Sequence, residues 1–229
     1  ATADLNGNSL LDLVTANQLN GTATVMLDFN GQTFASLSTV AVGDSPTDVA
    51  LGDFDRDGDL DFAVVNQQSS QLAIFINNGL GVFSPGSVFS TGGQRPTSVV
   101  AGHFNNDAFL DLAITNFGTH PRGGDFGNVT VLRGRGDASF DAAIPYSVGI
   151  GPISIAADDL NDDGFDDLVS TNFLSNTASV LMGSSTGVFS VSSQPLSTGQ
   201  GPLQVSTVDI DGDRDVDIVV TNLLSQSVS

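Results

Sequence analysis

Apolar residues in this chain come in short runs cut by Gly, Asn, Pro and Ser. In one stretch the runs are Thr47–Phe54, Phe62–Val65, Leu72–Ile76 and a last one around Val88 and Phe89. An acidic segment separates the first two, a polar turn follows Asn66, and a glycine turn, Asn77–Phe83, precedes the fourth. Short β-branched or aromatic runs bounded by turn formers are the signature of strands, and each run is too short for a helix. The pattern therefore predicts four strands in this stretch. The same order recurs along the chain, with matching glycine turns at Asn30–Phe34 and Gly183–Phe189.

The acidic segment sets the period. Asp53-Phe54-Asp55-Arg56-Asp57-Gly58-Asp59-Leu60-Asp61 shares its frame with segments starting at Asp4, His103, Asp159 and Asp209, at separations of 49, 50, 56 and 50 residues. A proline lies seven residues before the segment in four copies (Pro46, Pro96, Pro152, Pro202), and an asparagine lies five after its last aspartate in all five (Asn17, Asn66, Asn116, Asn172, Asn222). A fixed period of this size marks a repeat architecture. A four-stranded sheet with two apolar faces must stack on neighbours, and four strands per unit of about 50 residues suit a β-propeller blade. The expected fold is an all-β propeller region spanning 1–229, with repeats at 1–46, 47–96, 97–152, 153–202 and a partial one at 203–229.

Five aspartates in nine residues repel one another, and a hard divalent cation supplies the reason for them. Calcium takes six to eight oxygens, and a loop can offer them from positions 1, 3, 5, 7 (a backbone carbonyl) and 9; the competing reading is an acidic surface turn. In the second loop these are Asp53, Asp55, Asp57, the carbonyl of Asp59, and Asp61. The fourth offers Asp159, Asn161, Asp163, the Phe165 carbonyl and Asp167, and both loops carry glycine at position 6. The fifth offers Asp209, Asp211, Asp213, the Asp215 carbonyl and Asp217, but has Arg214 at position 6 and Gly212 two places early, which predicts a strained turn. The first has Asp4, Asn6, Asn8, the Leu10 carbonyl and Asp12, with two charges only and weaker expected binding. The third replaces the first aspartate with His103 and the glycine with Ala108; imidazole suits zinc or copper better than calcium, so an empty or poorly filled site is expected there. Removing one carboxylate from loops 2, 4 or 5 is expected to loosen the loop without unfolding the blade. An EF-hand or dockerin loop would lead into a helix, an EF-hand needs a glutamate at position 12 that this chain lacks, and a nine-residue β-helix repeat does not fit the period.

The acidic frame entering a strand, followed by turns such as Asn77-Asn78-Gly79-Leu80-Gly81-Val82-Phe83, resembles the FG-GAP and VCBS repeats. These build calcium-bearing propellers such as the head of integrin alpha subunits, and occur in bacterial surface proteins and some lectins. The resemblance covers essentially the whole chain. It implies a ring usually of seven blades, with calcium loops joining strands 1 and 2 on one face, and it implies no single activity.

Composition sharpens this picture. The formal charge is −20, and all 26 acidic residues are aspartate, 19 of them inside the five loops. The acidity is thus chiefly ligand supply. There is no cysteine, so neither a disulfide framework nor a thiol nucleophile is available. Six arginines give no basic surface for nucleic acid, and no apolar run approaches the roughly 20 residues of a membrane helix. No catalytic constellation stands out, and a non-enzymatic protein is expected. Repeat 3 is longer by about six residues in Gly118–Gly127; it holds Arg122, Arg133, Arg135 and both histidines, His103 and His120, and Arg95 lies just before it. This is either a contact site for an anionic partner or a tolerated loop insertion, the simpler reading. Asn20-Gly21-Thr22 and Asn128-Val129-Thr130 are glycosylation sequons, a pattern that chance supplies in so Asn- and Thr-rich a chain.

The last repeat supplies two strands and stops as a third begins. The expectation is a segment of a longer propeller, or a ring completed by another protein chain or domain. Extracellular calcium modules bind at roughly 10⁻⁴–10⁻³ M, which favours a secreted or surface location. The sequence thus leads to a calcium-binding extracellular propeller acting in adhesion, assembly or as a scaffold. The alternatives are a lectin-like glycan-binding propeller and a non-catalytic domain of a secreted polysaccharide-active enzyme.

Overall fold

A computed structural model describes residues 1–119 and 124–229 as 20 strands in five antiparallel sheets, with no helix among the described residues. Sheet 1 holds β1 (Thr2–Ala3), β2 (Asp12–Asn17), β3 (Thr22–Phe29) and β4 (Phe34–Ala41). Sheet 2 holds β5 (Pro46–Gly52), β6 (Asp61–Asn66), β7 (Gln71–Asn77) and β8 (Phe83–Ser90). Sheet 3 holds β9 (Pro96–Gly102), β10 (Asp111–Asn116), β11 (Asn128–Leu132) and the short β12 (Ile144–Tyr146). In sheet 4, β13 (Pro152–Asp158), β14 (Asp167–Asn172) and β15 (Thr177–Met182) are followed by two short strands, β16 (Ser190–Val191) and β17 (Leu196–Ser197), both paired with β15. Sheet 5 holds β18 (Pro202–Val208), β19 (Asp217–Asn222) and β20 (Ser227–Val228).

Apart from β17, which pairs with β15, the strands of each sheet pair in chain order, as consecutive meanders do. The phased proline and asparagine are partners in register: Pro46 faces Asn66, Pro96 faces Asn116, Pro152 faces Asn172 and Pro202 faces Asn222. Each proline opens its strand beside a register shift, where its missing N–H costs no ladder bond.

The first strands lie side by side in sequence, β5 on β9, β9 on β13 and β13 on β18, and β2 packs on β5. The sheets are propeller blades that do not close into a ring. The core is divided into four clusters, one between each pair of adjacent sheets. Alternation along the second strand feeds two of them at once. Phe62 and Val64 of β6 enter the cluster shared with sheet 1, and Ala63 and Val65 enter the cluster shared with sheet 3. Every residue of β6, β10 and β14 is buried, whereas β2 and β19, in the outermost sheets, are only partly so.

The turn phenylalanines complete these clusters. Phe83, Phe140 and Phe189 each lie in the seam with the preceding sheet. There they meet the second residue of that sheet's acidic loop: Phe54 packs on Phe140 with ring centroids 5.8 Å apart, and Phe104 packs on Phe189 at 5.6 Å. Leu5 takes the same place against sheet 2. The acidic loops are therefore plugged into the next blade.

Candidate metal centre

Each acidic loop joins the first and second strands of its sheet. Four of the five share one backbone trace with two left-handed residues, at positions 4 and 6: Gly7 and Ser9, Arg56 and Gly58, Asp162 and Gly164, Gly212 and Arg214. The sequence pattern suggested only the second of these. Gly212 is therefore not a displaced glycine; it serves position 4, as Gly7 does, and the strain in loop 5 falls on Arg214, at φ 81°. The position 1 aspartate folds over this turn. One oxygen of Asp4, Asp53, Asp159 and Asp209 accepts the N–H of position 6 at 2.6–3.1 Å. Side chains at positions 3 and 5 accept further loop amides: Asp55 and Asp57 accept Asp57 and Asp59 N–H, and Asp211 and Asp213 accept Asp213 and Asp215 N–H.

The position 9 aspartate has a second task. In all five loops its Oδ2 accepts the N–H of position 2 at 2.7–3.2 Å. In the first four repeats its Oδ1 also accepts an N–H at the end of the third strand, from Asp28, Asn77, Gly134 and Gly183, at 2.6–2.9 Å. Asp12, Asp61, Asp111 and Asp167 are fully buried. Each is a clamp tying loop, second strand and third strand together, so the loosening expected from losing one carboxylate does not extend to this position. Its removal leaves two amides without their acceptor.

Two loops gather carboxylates. Asp53, Asp55 and Asp61 place oxygens within 4.8 Å of one another, and so do Asp209, Asp211 and Asp217. In the first group Asp53 Oδ1 is buried and has no hydrogen-bond partner. Burial pushes the Asp61 carboxyl up to about 6, against the pull of the Asn77 and Phe54 amides, and the Asp55 and Asp57 charges act in the same upward sense. Burial also raises Asp55, with help from Asp57 and Asp53. Among the described residues no side-chain cation pairs with these charges. Arg56 lies over the Phe109 ring, 5.3 Å from its centroid, and among the described residues the ion pair is Arg135 with Asp141. A crowded carboxylate group with an orphaned buried oxygen is a donor set that fits a hard cation. The Asp59 side chain packs against Gly79, where a Cβ would collide with its carboxylate.

The other loops differ. Loop 4 keeps the trace, with Asp159 accepting Gly164 and Asp163 N–H, Asn161 accepting Asp163 N–H, and Asp163 accepting Phe165 N–H. Its carboxylates, with Asp167, are not drawn into the tight grouping of loops 2 and 5. In loop 1 the Asn6 and Asn8 amides both donate to Asp28 Oδ1, at 2.8 and 2.5 Å. The Ser9 amide lowers Asp4 below the usual carboxylate range.

Loop 3 is built otherwise. His103 Nδ1 lies 3.2 Å from the Phe109 carbonyl, the position 7 oxygen that the frame assigns to a cation. A carbonyl only accepts, so this nitrogen carries the proton. Neither Asn106 nor Ala108 is left-handed, which explains why alanine is tolerated. The loop leans instead on sheet 4: His103 N–H donates to Asp166 Oδ2 at 3.0 Å, and Asn106 N–H to the Ser185 carbonyl at 3.2 Å. The Asp111 clamp is retained, and burial pushes this carboxyl up to about 6.

The arginines in and just before repeat 3 are largely used within the molecule. Arg95 covers Phe117, Arg133 donates to the Gly187 carbonyl, and Arg135 pairs with Asp141. His120 and Arg122 lie outside the described residues. Of the two sequons, Asn20 is exposed in a turn, whereas Asn128 opens β11 and accepts from Asn116.

Some structural residues escaped the sequence pattern. Gly43, Gly93, Gly149 and Gly199 share one phase, and a Cβ on any of them would strike Asn66, Asn116, Asn172 or Asn222 respectively. Their spacing is the signal that could have found them. Asp28 carried none, being outside the nine-residue frame.

Stacked antiparallel blades, each with an acidic loop between its first and second strands, define a repeat propeller. The chain belongs to the FG-GAP-like repeat family, which matches residues 4–64, 53–114 and 159–220. The unmatched interval between the last two holds the lengthened part of repeat 3. Among solved structures, one reported as the structural basis of specific recognition of non-reducing terminal N-acetylglucosamine by an Agrocybe aegerita lectin shares the fold at a TM-score of 0.62 and 20% identity, over 96% of this chain. The present chain spans 60% of that structure's length. No curated protein matches the sequence. No helix among the described residues is long and apolar enough to cross a membrane.

Proposed function

We propose that this propeller is a calcium-stabilised, non-enzymatic module that works outside the cell in adhesion, assembly or scaffolding. The observation that carries this is the Asp53, Asp55 and Asp61 group, closely spaced, paired with no arginine among the described residues, and holding the orphaned Asp53 Oδ1. Calcium bound there would draw on these three side chains, on Asp57 and on the Asp59 carbonyl. It would neutralise a loop whose second residue, Phe54, is fixed in the neighbouring seam. Loop 5 offers a second site of the same kind, and loops 4 and 1 offer weaker ones.

Extracellular calcium modules with affinities near 10⁻⁴–10⁻³ M fill outside cells and stay empty in cytosol, which supports the extracellular assignment. At a hundredfold excess of calcium over the dissociation constant, a single site contributes about 2.7 kcal/mol. Thermal melts in calcium and in chelator, with calorimetric titration for stoichiometry, test the proposal. A rise of several degrees in calcium, absent in magnesium-only buffer, is expected. Identical melts in calcium and chelator would refute it.

A second reading, glycan contact, draws support from the lectin with which the chain shares its fold. It is compatible with the calcium role, since loops that stiffen blades also fix the clefts between them.

A further inference from the structure

Between sheets 3 and 4 lies a polar cleft of about 340 Å³, beside the loop that has abandoned the acidic frame. Asn105, Asn106 and Asp107 form one wall, and Ser185 and Thr186 of the sheet 4 turn form another. Arg133 and Asp141 complete it. We propose that this cleft binds a neutral, hydroxyl-rich ligand of monosaccharide size. The proposal rests on the glycan reading above and supplies its site.

Three features favour it. First, the walls are fixed before any ligand arrives. Asn106 N–H is bonded to the Ser185 carbonyl, the Arg133 guanidinium to the Gly187 carbonyl at 2.9 Å, and Asp141 N–H to the Arg133 carbonyl at 2.8 Å. Preorganised walls lower the ordering cost of binding.

Second, hydrogen-bonding capacity is left over. Asp107 Oδ1 accepts Phe109 N–H at 2.8 Å, leaving its other oxygen free. Arg133 Nε is buried without a partner. The side chains of Asn106 and Ser185 make no hydrogen bond among the described residues. Asp107, Asn106 and Ser185 line one cleft and between them offer both donors and acceptors.

Third, the charges select the ligand class. Asp107 disfavours an anion and Arg133 disfavours a cation, while Asp141 is already paired with Arg135. A sugar hydroxyl both donates and accepts, so adjacent hydroxyls can satisfy a carboxylate and a guanidinium together. The volume sits at the lower end of the roughly 300–1,000 Å³ of ligand pockets, which suits a single ring.

The test uses the full chain, isotope-labelled, titrated to saturation with methyl glycosides of neutral hexoses and N-acetylhexosamines. Expected are saturable amide shifts at Asn106, Ser185 and Gly187 with at least one glycoside. Asp107→Asn and Ser185→Arg should each weaken binding at least tenfold without changing the melting curve. Asp107→Asn keeps an acceptor for Phe109 N–H, and Ser185→Arg fills the cleft from an exposed turn, so neither threatens the fold. Glycoside shifts that map elsewhere and persist in both variants would overturn this site while leaving glycan contact standing. Failure of every neutral glycoside to perturb the wild type would overturn both.

Discussion

Loops 2 and 3 occupy equivalent places on adjacent sheets and solve the same problem differently. Loop 2 takes two left-handed residues and gathers three carboxylates within 4.8 Å, while its one cation, Arg56, lies over Phe109 and makes no ion pair with them. Loop 3 discards the first carboxylate and both left-handed turns, and a protonated imidazole nitrogen meets the position 7 carbonyl in place of an ion. Both keep the buried clamp, Asp61 or Asp111, with its two amide donors. The difference separates two roles within one motif: the ninth aspartate holds the blade together, and the rest of the frame is free to serve a cation or the next blade.

The sharpest way to break this comparison is to remove the clamp in both loops. Asp61→Ala and Asp111→Ala should each cost several kcal/mol in chelator, because two buried amides lose their acceptor at about 1–3 kcal/mol apiece. Urea denaturation measures this. A large loss for Asp61→Ala with none for Asp111→Ala would show that the clamp role is not shared. Next in size is Asp53→Asn, which should leave the chelator melt within about 1 kcal/mol of wild type and remove most of the calcium response of loop 2, seen as one fewer ion bound by calorimetry. An unchanged stoichiometry would exclude Asp53 as a ligand.

The pH dependence comes third. Asp61 and Asp111 both have folded-state values raised to about 6. The folded state therefore binds their protons more tightly than the unfolded chain, whose aspartates titrate near ~4. Their stabilising contribution is complete below that value and is lost as pH rises through about 6. In chelator the melting temperature should fall between these limits, and calcium should offset the fall; a profile that rises instead contradicts the raised values. The smallest effect is that of His103→Ala, which removes one hydrogen bond worth about 1 kcal/mol and should not alter calcium stoichiometry. Pairing His103→Asp with Ala108→Gly should raise that stoichiometry by one if the frame alone suffices.

The repeat was legible because two constraints recur at one spacing. Proline and asparagine stay in phase because they face each other across a single pair of strands, and second strands read as apolar runs because both their faces are buried. Fourth strands were harder to delimit: β4 and β8 are largely exposed, so their residues carry little apolar signal, and β8 begins at Phe83, earlier than Val88 and Phe89 suggested. In the loops, spacing pointed to the carboxylates but not to the position 4 turn, since Arg56 and Asp162 adopt it without glycine. Nor could it show that His103 reaches across its own loop, or that Asp28 receives Asn6 and Asn8. Those are contacts between residues whose separation is not repeated elsewhere.

The plugging of each loop's second residue into the adjacent sheet sets where cooperativity resides. Phe54 and Phe104 are held between blades, as are the two alternating faces of each second strand. The elementary cooperative unit is thus the seam, built from both neighbours, and no blade stands as an independent folding domain. Stability along such an array is transmitted nearest neighbour to nearest neighbour. An ion settling in loop 2 should accordingly slow amide exchange in sheet 3 as well as in sheet 2, while β2 and β19, each facing one seam, exchange first.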